Sequence, residues 1–301
     1  MLALSFSILH KIQHVQNLYI PVTRQKHFQY LAFILVLAFC FPIKSLAQGD
    51  LLLYPKRIVF EGSKKYQTLN VANTGKDSVR YFISVIQIRM KDDGSFETIT
   101  QPDSAQYFAD KNFRFFPRNV VLGPNESQTI KMQLINTGQL ATGEYRSHLY
   151  FRAEPEKQPL GDEMIRKDSS TISVKLVAVF GISIPVIIRI GETDRNISFS
   201  DMILSKGKDS LPFLKITFNR TGNMSAYGDI SVDHISLQGK ITRVGIVRGM
   251  ALYTPNLVRH FNLPLDNKAA VDYHSGKLHV LYTSQADAKS VKIAESELLL
   301  N

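Results

Sequence analysis

Cysteine is almost absent from this sequence: the only one among 301 residues is Cys40, and there is no tryptophan at all. Cys40 lies in an apolar run, Leu31 to Phe41, that is expected to be removed from the working protein. The remainder then has no disulfide, no thiol nucleophile and no cysteine-based metal site, so its stability must come from hydrophobic cores alone. Histidine patterns for metal binding are missing too. His148, His234, His260, His274 and His279 show neither His-x-x-x-His nor His-Glu-x-x-His spacing. His274 and His279 fall in a turn and a strand, which is poor ligand geometry, so no metal site is expected. Gly-x-Ser-x-Gly and phosphate-cradling glycine loops are likewise lacking. No enzyme, no cofactor and no small-molecule substrate is therefore expected.

Long apolar runs are scarce as well. Leu31–Phe41 is shorter than the roughly 20 residues a spanning helix needs. Arg24, Lys26 and Lys44 flank it, and Ser45-Leu46-Ala47 gives a small-x-small cleavage site. That pattern predicts a secretory signal peptide over residues 1–47. Cleavage would leave 254 residues and lower the net charge from +10 to +6, because Lys11, Arg24, Lys26 and Lys44 leave with no acid. So modest a charge over that length predicts solvated surface with one cationic pocket, and no nucleic-acid partner.

What the sequence has in abundance is strand signal. Leu51–Phe60, Tyr66–Ala72, Val79–Met90, Phe113–Leu122, Gln128–Ile135 and Tyr145–Arg152 are alternating or β-branched runs. Asn73-Thr74-Gly75, Lys91-Asp92-Asp93-Gly94 and Gly123-Pro124-Asn125 supply turns between them. Glu144, Arg146 and His148 share one face of their strand and are expected to form a solvated polar face. A charged, breaker-rich segment comes next, from Ala153 to Ser170.

Then every second residue is apolar from Ile172 to Ile188, through Val174, Leu176, Ala178, Phe180, Ile182, Ile184 and Val186. Ordinary strands run about 5–6 residues. A strand this long and apolar is a hazard at a sheet edge unless another chain covers it. Gly191–Asp194 reads as a joint, and Ile197–Leu204, Phe213–Asn219, Gly228–Ser236, Ile241–Met250, Arg259–Leu263, Lys277–Tyr282 and Val291–Leu300 read as strands of a second unit. The expected fold class is all-β, with two immunoglobulin-like sandwiches over residues 48–190 and 191–301.

Several motifs together carry a resemblance. They are Tyr54-Pro-Lys-Arg-Ile-Val-Phe-Glu-Gly62, Leu69-Asn-Val-Ala-Asn-Thr-Gly75, Phe116-Pro-Arg118, Leu122-Gly-Pro-Asn-Glu-Ser-Gln128, Gly143-Glu-Tyr-Arg-Ser-His-Leu-Tyr-Phe151 and the long strand ending Ile188-Arg189. In order and spacing this resembles the N-terminal domain of the PapD-like periplasmic chaperones of pilus and fimbrial assembly, over about 140 residues. The second half is similar mainly through Val271-Asp-Tyr273. The resemblance implies two sandwiches set at an angle around a cleft, and a periplasmic location. It implies donation of the long strand to pilin-like or other surface-fibre subunits, through Ile172, Val174, Leu176, Ala178 and Phe180, before an outer-membrane usher takes them. It implies that Arg57 anchors the subunit's terminal carboxylate and that Arg189 bridges to Asp272 between domains. It also asks for a second anchoring lysine where this chain has Pro185. The competing reading is a structural or adhesive surface protein of tandem immunoglobulin-like domains.

Overall fold

The computed structural model describes residues 51–154, 179, 181–207, 211–267, 271–284 and 290–300. Residues 1–47, expected to be a signal peptide, and Ile172, Val174, Leu176, Ala178 and Phe180 lie outside the described residues. The first ten strands are β1 (Leu51–Tyr54), β2 (Ile58–Phe60), β3 (Tyr66–Asn73), β4 (Val79–Met90), β5 (Phe96–Ile99), β6 (Phe113–Phe116), β7 (Asn119–Leu122), β8 (Ser127–Leu134), β9 (Gly143–Ala153) and β10 (Gly181–Ile190). They form two facing sheets, one ordered β1-β3-β8-β6 and the other β2-β10-β9-β4-β5, with β7 also on β4. The second set comprises β11 (Arg195–Lys206), β12 (Pro212–Gly222), β13 (Ala226–Ile235), β14 (Ile241–Leu252), β15 (Val258–Pro264), β16 (Lys277–Ser284) and β17 (Lys292–Leu299). These make sheets ordered β11-β12-β15 and β14-β13-β16-β17. The architecture is all-β, as expected.

Alternation explains the layers. In β3, Leu69, Val71 and Asn73 point inward while Thr68 and Asn70 face solvent. Asn73 is a buried polar residue that the turns satisfy. Its amide donates to the carbonyls of Asp77 and Leu122, and its Oδ1 accepts from the Gly75 N–H. Each sandwich has its own core. Phe60, Leu69, Ile130, Leu149, Phe151 and Val186 anchor the first. Phe218, Ile230, Val232, Leu263 and Tyr282 anchor the second.

Two runs that read as single strands are each split by a proline. Leu51–Phe60 becomes β1 and β2, broken around Pro55, and these lie in different sheets. Phe113–Leu122 becomes β6 and β7, broken at Pro117, and also changes sheet. A proline has no N–H to give a ladder, so it is a natural place for a strand to leave one sheet for the other. The crossing at Pro55 positions two cations. It delivers Lys56 and Arg57 to the place where β2 meets β10 in a parallel pair, Ile58–Phe60 against Val186–Ile188.

Candidate functional site: the arginine-rich junction between the sandwiches

The two sandwiches belong to one compact unit, Gly49–Asn301, and meet over a surface rich in arginine. Its centre is Glu144 on β9, whose side chain is fully buried. One carboxylate oxygen accepts from Arg146, the other from Arg189 Nε at 3.3 Å. That second oxygen also accepts from the N–H and the hydroxyl of Ser225, at 3.1 and 2.8 Å. Ser225 immediately precedes β13, so a carboxylate of the first sandwich holds the second. Burial pushes the Glu144 carboxyl up, but Arg146, Arg189 and Ser225 together outweigh it and hold the group below the usual range. Arg189 extends the network to Glu61 at 3.1 Å.

Other arginines complete the junction. The guanidinium of Arg146 lies 3.4 Å from the centre of the Tyr253 ring. Arg195 donates to the Ser225 carbonyl at 3.3 Å. Arg220 is buried and donates to the carbonyls of Asn256, Gly222, Met224 and Pro255, closing two loops. A small apolar cluster joins Met90 of the first sandwich to Ala251, Tyr253 and Tyr227 of the second. The β4–β5 turn reaches across as well, its Asp92 carbonyl accepting from the His260 N–H at 2.6 Å.

Arg57 stands at this junction, half-buried, with its guanidinium carbon 4.2 Å from the Tyr227 ring centre. Burial, then the nearby Arg189 and Arg146 charges, lower its pKa. The structure does not bring Arg189 and Asp272 together, which corrects the expected pair. Arg189 is engaged by Glu144 and Glu61. Asp272 instead caps its own turn, accepting from the His274 N–H and the Ser275 hydroxyl at 2.9 and 2.7 Å. These two donors place its pKa below the ordinary value. It borders a cavity of about 660 Å³ between β11 and β17 in the second sandwich. The junction acid is thus Glu144, and the polar trio on β9 is not a solvated face. Glu144, Arg146 and His148 are 3%, 6% and 3% exposed. The face was legible as polar but not as covered, because the cover comes from Ser225, 81 positions later, which bonds Glu144.

His148 carries a measurable consequence. Its Nδ1 has no hydrogen-bond partner among the described residues. Burial, then the Arg146 charge, drive its pKa from 6.5 to about 3. The folded state therefore keeps it neutral while the unfolded chain takes up a proton below 6.5. Stability is fully present above that value and falls as pH drops toward 3. The slope is about 1.4 kcal/mol per pH unit. His148→Gln is expected to flatten the loss between pH 6.5 and 5, read from urea midpoints. Equal slopes in both proteins would show that His148 titrates freely.

The edge of β10 is the other element of the site. The Arg146 N–H points away from β10, donating to the Tyr107 carbonyl. Arg146 is opposite Ile187 and His148 is opposite Pro185 in the antiparallel register. In such a pair the two residues turn their backbone groups the same way, both inward or both outward. The groups of Gly181, Ser183, Pro185 and Ile187 therefore face outward, away from β9. Ile187 is covered by β2, but Gly181–Pro185 has no partner strand on that side among the described residues. Pro185 is tolerated there because an outward N–H is the one this ladder can spare. The even-numbered face of the same strand belongs to the first core, through Ile184, Val186 and Ile188.

Fold and site together define a two-sandwich protein with a cationic junction beside a strand edge that no described strand covers. No family model matches the chain, and no curated protein matches it by sequence. Among solved structures, the chain is similar to the CupB2 chaperone of Pseudomonas aeruginosa, at 15% identity and a TM-score of 0.43, covering 83% of this chain and 100% of that one. It is similar to the YadV chaperone at 12% identity and 0.42, covering 84% and 100%. It is also similar to a chain of the CsuC–CsuE chaperone–tip adhesion subunit complex of Acinetobacter baumannii, at 12% and 0.41, covering 82% and 99%.

Proposed function

We propose that this chain is a periplasmic chaperone that holds pilus- or fimbria-type subunits by strand addition until an outer-membrane usher receives them. The observation that carries the reading is the meeting of Arg57 with the part of the β10 edge that no described strand covers. β2 runs parallel to β10 and covers it only at Val186–Ile188. A partner strand added to the free part of that edge, in the same direction as β2, stops where β2 begins. Its terminal carboxylate then arrives beside Arg57. Arginine suits that task, because its planar fork can take a carboxylate by two parallel hydrogen bonds. Upstream, Ile172, Val174, Leu176, Ala178 and Phe180 continue the alternation and are the side chains we assign to filling a partner's open core. Burying each large one is worth about 1.5–3 kcal/mol.

The sequence resemblance to PapD-like chaperones supports the same reading. Domain limits at 48–190 and 191–301, and export by residues 1–47, are part of this proposal. Co-expression with an immunoglobulin-like subunit lacking its last strand tests it. The wild type is expected to copurify with the subunit from a periplasmic extract. Phe180→Asp is expected to abolish the complex, and Arg57→Ala to weaken it about tenfold or more, the loss of a charge-assisted pair. A protein found on the cell surface, free of any subunit, would instead favour the tandem-domain adhesin.

A further inference from the structure

Arg57 is an unusual arginine for this junction. Where a second anchoring cation would stand, the chain has Pro185, which has neither charge nor donor. The other junction arginines are already engaged. Arg146 and Arg189 are held by Glu144, and Arg189 also by Glu61. Arg195 and Arg220 donate to backbone carbonyls. Among the described residues, Arg57 alone of these five has no hydrogen-bond acceptor and no ion-pair partner, and the repulsion from Arg189 and Arg146 is only partly offset by the weaker attraction of Glu144. A half-buried guanidinium with unused donors beside two like charges needs something to hold it.

Tyr227 meets that need. It projects from β13 of the second sandwich, and its ring lies 4.2 Å from the Arg57 guanidinium carbon. The ring is itself fixed by packing on the cluster of Met90, Ala251 and Tyr253. A π face attracts the flat side of a guanidinium without using any of its N–H groups. A guanidinium seated over the ring in this way keeps its N–H donors available for an anion.

We propose that Tyr227 is the positioning residue of a one-arginine site for the terminal carboxylate of an extended peptide, built half from each sandwich. Binding an anion offsets the net repulsion that Arg57 carries from Arg146 and Arg189. The site deepens the strand-addition reading and rests on it for the source of the carboxylate. The stack itself stands independently of that reading.

The test uses the mature chain and an acetylated apolar octapeptide in two forms, with a free terminal carboxylate and with a carboxamide. Binding is followed by the arginine side-chain Nε–H resonances, the Arg57 signal being identified by its disappearance in Arg57→Lys. The wild type is expected to bind the carboxylate form about tenfold more tightly than the amide, the worth of one charge-assisted pair. Tyr227→Phe is expected to keep that preference and Tyr227→Leu to lose it, with the fold checked by circular dichroism. The Arg57 Hε signal of the wild type is expected to carry an upfield ring-current shift, which needs no variant to be seen. A carboxylate preference that survives in Tyr227→Leu, or an Arg57 Hε signal with no ring-current shift, would overturn the proposal. If subunits copurify with the wild type yet neither peptide form is preferred, the carboxylate site fails and the chaperone reading stands. If the preference and its Tyr227 dependence hold but no subunit copurifies, the site stands and the chaperone reading fails.

Discussion

Glu144→Ala is expected to destabilise the protein by about 3–5 kcal/mol, the cost of removing one member of a buried, hydrogen-bonded charge group. The variant leaves Arg146 and Arg189 with no buried counter-charge, next to Arg57, and takes the acceptor from both donors of Ser225. In a chain of this size each kcal/mol moves Tm by about 2–4 °C. The loss is checked by urea unfolding followed with tyrosine fluorescence, and a change below about 1 kcal/mol would mean that the network behaves as an exposed one. Acid should act in the same direction. The Glu144 pKa is depressed on folding below its ordinary value of 4.5. Its contribution is therefore present above pH 4.5 and is lost as pH falls through the folded value. Glu144→Gln removes that part of the acid sensitivity, and a variant as acid-sensitive as the wild type would refute the assignment.

Phe218→Ala is the second large effect. Phe218 is 1% exposed at the centre of the second core. Its ring makes edge-on contacts with Phe199 at 5.0 Å and Tyr282 at 5.9 Å. Truncating a buried phenylalanine costs about 3–5 kcal/mol. Each aromatic pair contributes about 0.5–1.5 kcal/mol beyond its area. The cavity should stay local, because Tyr282 is pinned from the far side by its hydroxyl, which donates to the Met250 carbonyl at 2.9 Å. Calorimetry is the check, with the first sandwich as internal control. Phe218→Ala should lower the melting of the second core and leave that of the first unchanged. Equal loss of both would show that the sandwiches melt as one cooperative unit.

The layers were legible in the sequence because strand period and turn residues are local signals. Val79–Met90 is β4 to the residue, and Gly94 closes the expected turn with φ = 82°. Pro55 and Pro117 were visible, but their effect was not. Whether a proline ends a strand or moves it to the facing sheet depends on what partner is available on each side. Arg57 could be singled out by its neighbours in the chain, whereas Tyr227 could not. Nothing local marks an outward-facing tyrosine on an alternating strand as the seat of a cation some 170 residues earlier. The same limit hid the Glu144 network. Three polar residues at alternating positions look identical whether water or another sandwich lies over them, and only burial distinguishes the two. Asp272 misled for the converse reason. Its acidic side chain is spent within three residues, on His274 and Ser275, a local turn that a search for a distant partner overlooks.

Pro185 also bears on self-association. Between Gly181 and β2, the outward side of β10 offers N–H donors only from Gly181 and Ser183, because Pro185 has none. Two copies laid edge to edge along this stretch would run out of donors within a few residues. A proline at the mouth of the junction discourages such self-pairing over this short span. This stretch of β10 is thereby an unfavourable template for edge-to-edge association between copies of the chain.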